Sequence, residues 1–212
     1  MKKLVLGIAI ASVLGLSACD DESIEDAKID QTVITAPAKV VFNPSDGVLS
    51  VPNDLLFQGT LDGTLNIPGA GTEGSDPYFA LNTLDGWSTA NPFKIALDFP
   101  GDTSLDASSV FNPAAVRIFE TLMGGSTDPD CAAVPRGAAC KVVTELTFGV
   151  DFIAQQSGDS VAIVPLKPLK AKTSYLLALT NTIQDDTGRA VEASDSYKLV
   201  SQNIADKPLG SP

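Results

Sequence analysis

The sequence predicts an all-β fold arranged as a β-sandwich, and three observations carry that prediction. Short runs alternate apolar and polar residues with period two, at Phe93-Lys94-Ile95-Ala96-Leu97-Asp98-Phe99 and more briefly at Val116-Arg117-Ile118-Phe119-Glu120, and the best strand candidate of all is Ser174-Tyr175-Leu176-Leu177-Ala178-Leu179-Thr180. Gly-Asp, Asp-Pro, Ser-Gly-Asp and Asp-Thr-Gly breakers separate these runs at regular intervals. No long segment of the mature chain carries a 3.6-residue apolar period. The apolar share is 44%, which is that of a globular protein able to bury a core.

The elements follow in chain order. A first short strand is expected at 39–43. Pro44-Ser45-Asp46-Gly47 then reads as a turn, with proline setting φ early and glycine supplying positive φ late. Asp62-Gly63, between Leu61 and Thr64-Leu65-Asn66-Ile67, is a hairpin signal. The strand at 93–99 comes next, and Asp106-Ala107-Ser108-Ser109 is the one segment expected to form a short helical turn. Further strands are expected at 116–120, 142–148, 151–154, 160–164 and 174–180. Asp185-Asp186-Thr187-Gly188 reads as a hairpin turn between two strands.

The N-terminus specifies export. Lys2 and Lys3 precede an apolar run from Leu4 to Leu16, which is shorter than the ~20 residues that cross a bilayer. Small residues lead into Leu16-Ser17-Ala18-Cys19, which resembles the bacterial lipobox. That resemblance implies a signal peptide at 1–18 and a diacylglyceryl group on the thiol of Cys19, the first residue of the mature chain. Lipid chains bury ~0.8 kcal/mol per methylene, and two or more anchor firmly, so the implied partner is a membrane. The implied place is the cell envelope, at the outer membrane or cell surface. Asp20 and Asp21 resemble an enterobacterial signal for retention at the inner membrane, which leaves the leaflet open. Residues 19–37 are acidic with little to bury, as a flexible tether should be.

Export also decides the cysteines. Cys131 and Cys140 remain after Cys19, and in an oxidising compartment a pair this close is expected to form a disulfide. Closing so short a loop contributes somewhat under ~3 kcal/mol in the chain-entropy model. The spacing is not the Cys-x-x-Cys of redox chemistry, so the bridge reads as a staple.

Charge and residue types exclude several functions. The net charge is −12, and losing Lys2 and Lys3 with the signal peptide takes it to −14. A surface this acidic argues against nucleic acid as a partner. The chain has no histidine, so it cannot assemble a Ser-His-Asp or Cys-His site, and it carries no Gly-x-Ser-x-Gly elbow. No catalytic residue is assigned. Gly124-Gly125-Ser126-Thr127-Asp128 lacks the second glycine of that elbow and its strand-to-helix context. No metal or other cofactor is expected. Zinc lacks ligands, and neither Asp128 with Asp130 nor Asp185 with Asp186 fits a calcium loop. Trp87, the single tryptophan, reads as filling a core or interdomain seam in preference to a ligand-stacking platform.

Four segments carry a wider resemblance: Phe42-Asn43-Pro44, Val51-Pro52-Asn53-Asp54-Leu55-Leu56-Phe57, Asp62-Gly63-Thr64-Leu65-Asn66-Ile67-Pro68, and Leu81-Asn82-Thr83-Leu84-Asp85-Gly86-Trp87-Ser88-Thr89. Together they resemble the N-terminal domain of the bacterial virulence-factor lipases. These are exported, often lipid-anchored lipases and lysophospholipases of vibrio-like gamma-proteobacteria. The resemblance implies a β-domain over 38–200 followed by an α/β-hydrolase domain that this chain does not contain. Residues 165–169, 173–175 and 183–188 look like bacterial immunoglobulin-like modules. The expected fold is then an immunoglobulin-like sandwich from about residue 92 to 200, with an N-terminal β-hairpin and loop extension. Residues 201–212 read as a linker. The implied function is a non-catalytic domain of a lipid-anchored lipase, supporting or positioning the hydrolase. The alternative is a stand-alone lipoprotein binding module for adhesion or ligand binding.

Overall fold

The computed structural model describes residues 36–203 and 205–206. The signal peptide, Cys19, the tether as far as Thr35, and Ile204 and residues 207–212 of the linker lie outside the described residues.

Seven described strands form two antiparallel sheets. They are β1 (Lys39–Val40), β2 (Phe93–Asp98), β3 (Val116–Met123), β4 (Ala139–Glu145), β5 (Phe152–Gln156), β6 (Ser160–Pro165) and β7 (Ser174–Leu179). One sheet has the order β1-β2-β6-β5 and the other β4-β3-β7. An all-β protein with few helices is what the period-two runs predict.

Alternation explains the core. In the first sheet Ile163 lies opposite both Phe93 and Ala154, and Val161 lies opposite Ile95. In the second, Val116 faces Leu179 and Ile118 faces Leu177. Their inward side chains share one cluster, in which Val110, Val161, Ile163 and Ile183 are fully buried. Each such side chain contributes ~1.5–3 kcal/mol on leaving water. Phe111, Phe148 and Phe152 close one end of the cluster through edge-on contacts at 5.4 and 5.8 Å.

Two loops are tied to the sheets by named groups. Helix α2 (Ala107–Val110) starts where expected, with the Asp106 carboxylate accepting from the Ser108 amide at 2.9 Å. The Ser109 hydroxyl donates to the Asp106 carbonyl and accepts from the Gln184 amide at 3.0 Å. Asp185 is buried next to that contact. It accepts from the Thr187 and Arg189 amides at 3.0 Å and pairs with the Arg189 guanidinium at 2.8 Å. The turn at 185–188 therefore exists, with Gly188 at φ 81°. Its flanks, however, make only a single bridge between Gln184 and Ala190, not two strands, because the Asp185 carboxylate satisfies the local amides itself.

Other expectations are corrected. No hairpin forms at Asp62-Gly63. The Asp62 carboxylate instead accepts from the Thr64 amide and hydroxyl at 3.1 and 2.9 Å, and no described strand lies between β1 and β2. The strand expected at 142–148 is β4, displaced three residues towards the N-terminus. Cys140 is held by its disulfide, and Ala139 pairs with Met123, while Leu146 and Phe148 turn into the core. Strand β3 runs three residues beyond 116–120 and carries register shifts at Glu120/Thr121 and Leu122/Met123. Two further helices, α1 (Pro77–Leu81) and α3 (Asp195–Ser201), were not expected. Each has a side-chain cap, Asp76 and Ser194, but neither has a buried residue. Helix α3 also extends into the first residue of the expected linker.

Candidate functional site

Residues 44–92 fold as a loop extension, and it brings the chain's most distinctive segments together. Pro44–Asp46 forms a 3-10 turn that ends at Gly47 with φ 72°. Asn53 caps a second 3-10 turn, Asp54–Phe57, by accepting from the Leu55 amide at 3.0 Å. Leu65, only 2% exposed, is the pivot. Its amide donates to the Leu84 carbonyl at 2.9 Å, and the Ile67 amide donates to the Asn82 side chain at 2.8 Å. The Asn66 side chain donates to the Gln58 carbonyl at 2.8 Å. Backbone polar groups with no strand partner are thus satisfied by loop-to-loop bonds.

The outcome is a seam. Phe57 meets Trp87 edge-on, with ring centroids 5.9 Å apart and planes at 74°. The Ser88 hydroxyl accepts from the Ala90 and Asn91 amides at 3.3 and 3.0 Å, and the Thr89 carbonyl accepts from the Leu169 amide at 2.8 Å. That last bond fastens the Trp87 segment to the loop between β6 and β7. Trp87 therefore packs on Phe57 within the extension, two residues before the bond that fastens its segment to the sheets.

Trp87 also lines a cleft of ≈ 370 Å³ with Val51, Pro52, Asn91, Pro92 and Phe93. The Val51–Pro52 bond is cis. Trp87 Nε1 is buried with no hydrogen-bond acceptor, although buried indole N–H groups ordinarily find one. Ser88 and Lys94, the latter exposed on β2, complete the lining. Residues 44–92 contain Asp46, Asp54, Asp62, Glu73, Asp76 and Asp85 but no lysine or arginine. Sequence reasoning did not reach this cleft. The spacing of Trp87 from Val51 carries no periodic signal, and only the loop-to-loop bonds close the distance.

Most of the residues singled out from the sequence have structural partners. Cys131 and Cys140 are bonded, with Cα atoms 5.7 Å apart and Cys131 fully buried. Their loop folds over Gly124 and Gly125, which explains the glycine pair. A Cβ on Gly124 would lie 2.1 Å from the Pro135 carbonyl oxygen, and Gly125 has φ 72°. Ser126 sits in the turn that follows β3, where its hydroxyl is buried without a partner. Lys141 pairs with Asp128 at 3.6 Å and with Asp130 at 3.4 Å, so a side-chain cation already faces that acidic pair. Both carboxylates raise the Lys141 ammonium above its ordinary value, the hydrogen bond to Asp130 most of all. Asp186 accepts from the Ser104 hydroxyl at 3.0 Å, while Asp185 is paired with Arg189. Among the described residues no group of three or more His, Cys, Asp or Glu side chains could hold a metal ion. No described helix is long and apolar enough to cross a membrane.

Comparison with known proteins agrees with the segments that converge at this seam. No curated protein and no solved structure matches the chain. The family model described as bacterial virulence factor lipase N-terminal matches residues 22–208, which includes the whole extension, both sheets and α3. The chain belongs to the bacterial virulence factor lipase N-terminal family.

Proposed function

We propose that this chain is the non-catalytic N-terminal β-domain of a lipid-anchored bacterial extracellular lipase. The observation that carries the reading is the family match over residues 22–208, in a chain that has no histidine for a Ser-His-Asp site. Acyl transfer then belongs to an α/β-hydrolase domain encoded downstream, which this domain supports or positions. Its two sheets are read as an immunoglobulin-like sandwich. Cys19 carries the lipid, residues 19–37 span the gap to the membrane, and the protein works in the cell envelope, at the outer membrane or cell surface. Its partners are the bilayer, through that lipid, and the hydrolase.

The test is the DNA read in frame after the codon for Pro212, together with an esterase assay. An open frame that runs into a Gly-x-Ser-x-Gly segment and a later histidine supports the reading, with activity in the longer product and none in the 212-residue chain. A stop codon at that point, or esterase activity in the chain itself, overturns it. Labelling with radioactive palmitate tests the anchor separately: Cys19→Ser should abolish incorporation.

A further inference from the structure

We propose that the cleft at the Trp87 seam binds a long-chain monocarboxylate, a free fatty acid, with its alkyl chain on the apolar walls and its carboxylate at Lys94. The site lies wholly within residues 51–94, so the proposal goes beyond the lipase reading and does not depend on a downstream hydrolase. The walls are Val51, Pro52, Trp87, Pro92 and Phe93, and the volume of ≈ 370 Å³ falls in the range of small-molecule sites, roughly 300–1,000 Å³.

The polar side chains of the lining can each donate to an anion. They belong to Lys94, Asn91 and Ser88, each of which carries a donor, and no Asp or Glu lines the cleft. The Ser88 oxygen already accepts two backbone amides, which leaves its hydrogen available. Lys39, Lys141, Lys167, Lys170 and Lys198 each pair with a carboxylate, whereas Lys94 and Lys172 form no ion pair among the described residues, and of these two only Lys94 lines the cleft. The Trp87 N–H lacks an acceptor, so a side-chain adjustment that brings a carboxylate to it gains a hydrogen bond without breaking another.

Charge selects among apolar ligands. The chain is strongly acidic, and residues 44–92 hold six carboxylates and no cation. An extended anionic bilayer face would meet that acidic stretch, whereas a single carboxylate needs only Lys94. A cationic or neutral amphiphile would leave Lys94 unused.

Trp87 is the only tryptophan, so its emission reports on the cleft directly. The experiment titrates the Cys19→Ser chain, which lacks the thiol that lipidation would use, with sodium dodecanoate below its aggregation concentration. Dodecanol and dodecyltrimethylammonium serve as probes of equal chain length. Dodecanoate should change the emission saturably, and more tightly than either control. Lys94→Gln should weaken dodecanoate about two- to five-fold, the effect of one exposed charge pair, with an unchanged melting temperature. Absence of a saturable response overturns the proposal. So does equal binding of dodecanol or dodecyltrimethylammonium, or undiminished dodecanoate binding by Lys94→Gln.

Discussion

Asp185→Asn tests whether one buried carboxylate clamps the loop 183–190 to the body of the domain. The Asp185 side chain is fully buried. One oxygen accepts from the Thr187 amide at 3.0 Å, the Thr187 hydroxyl at 2.6 Å and the Arg189 amide at 3.0 Å. The other accepts from Arg189 Nε at 3.0 Å and lies 2.8 Å from Arg189 Nη2. Asparagine preserves the shape and the first oxygen, but it turns an NH₂ group towards the guanidinium. Breaking a fully buried pair costs ~3–5 kcal/mol. The Arg189 side chain is 34% exposed and regains some water, so about 2–3 kcal/mol is expected here. For a domain of this size that is a fall in Tm of about 4–12 °C, read by circular dichroism at pH 7.

The pH dependence has a definite sign. Burial pushes the Asp185 carboxyl up, but the hydrogen bonds from Thr187 and Arg189 together outweigh it and hold the group below the ordinary carboxylate value. A folded-state value below the unfolded one, ~3.9, gives stability that is complete above ~pH 5 and lost as pH falls through the folded value. The gap between parent and variant should therefore be constant from neutral pH down to ~5 and close only at lower pH. A Tm within ~1 °C of the parent at pH 7, or a gap that closes above pH 5, would refute this account of Asp185.

Two further substitutions probe the corner held by the disulfide. Replacing both Cys131 and Cys140 with alanine should remove somewhat under ~3 kcal/mol, because the loop they close is short. Reductant should lower the Tm of the parent to a similar degree and leave the double variant unchanged; a parent indifferent to reductant would contradict this. Gly124→Ala puts a methyl group against the Pro135 and Val134 carbonyls, so the loop over β3 must move, at a cost of about 1–3 kcal/mol in urea unfolding. Parental stability in that variant would show that the loop gives way freely.

Much of this fold was legible because its rules act over a few residues. Period-two alternation placed β2 and the start of β3, since side chains of a strand point alternately to core and solvent, and short apolar runs between turn residues placed β6 and β7 to within a residue or two. Asp106 announced α2 through its cap, and Pro44 with Gly47 announced their turn through allowed φ values. Where a local rule had two outcomes, context chose. Asp62-Gly63 could start a hairpin only if its flanks paired, and the Asp62 carboxylate instead bonds to Thr64 within the same loop. The caps of α1 and α3 were present in Asp76 and Ser194, but neither short helix offers a buried apolar face to strengthen the signal.

By itself the sequence determined the all-β character, the pairing of Cys131 with Cys140, the acidic charge and the absence of a histidine-based site. Each follows from composition or from neighbours in the chain. Tertiary structure alone decided that Val51, Trp87 and Lys94 would share one cleft, that Asp185 would be buried against Arg189, and that Gly124 would lie beneath the Pro135 carbonyl. It likewise set β4 in register with Met123 and turned Leu146 and Phe148 into the core. Such contacts depend on which surfaces close over one another across tens of residues, and close packing settles that only once the whole chain has folded.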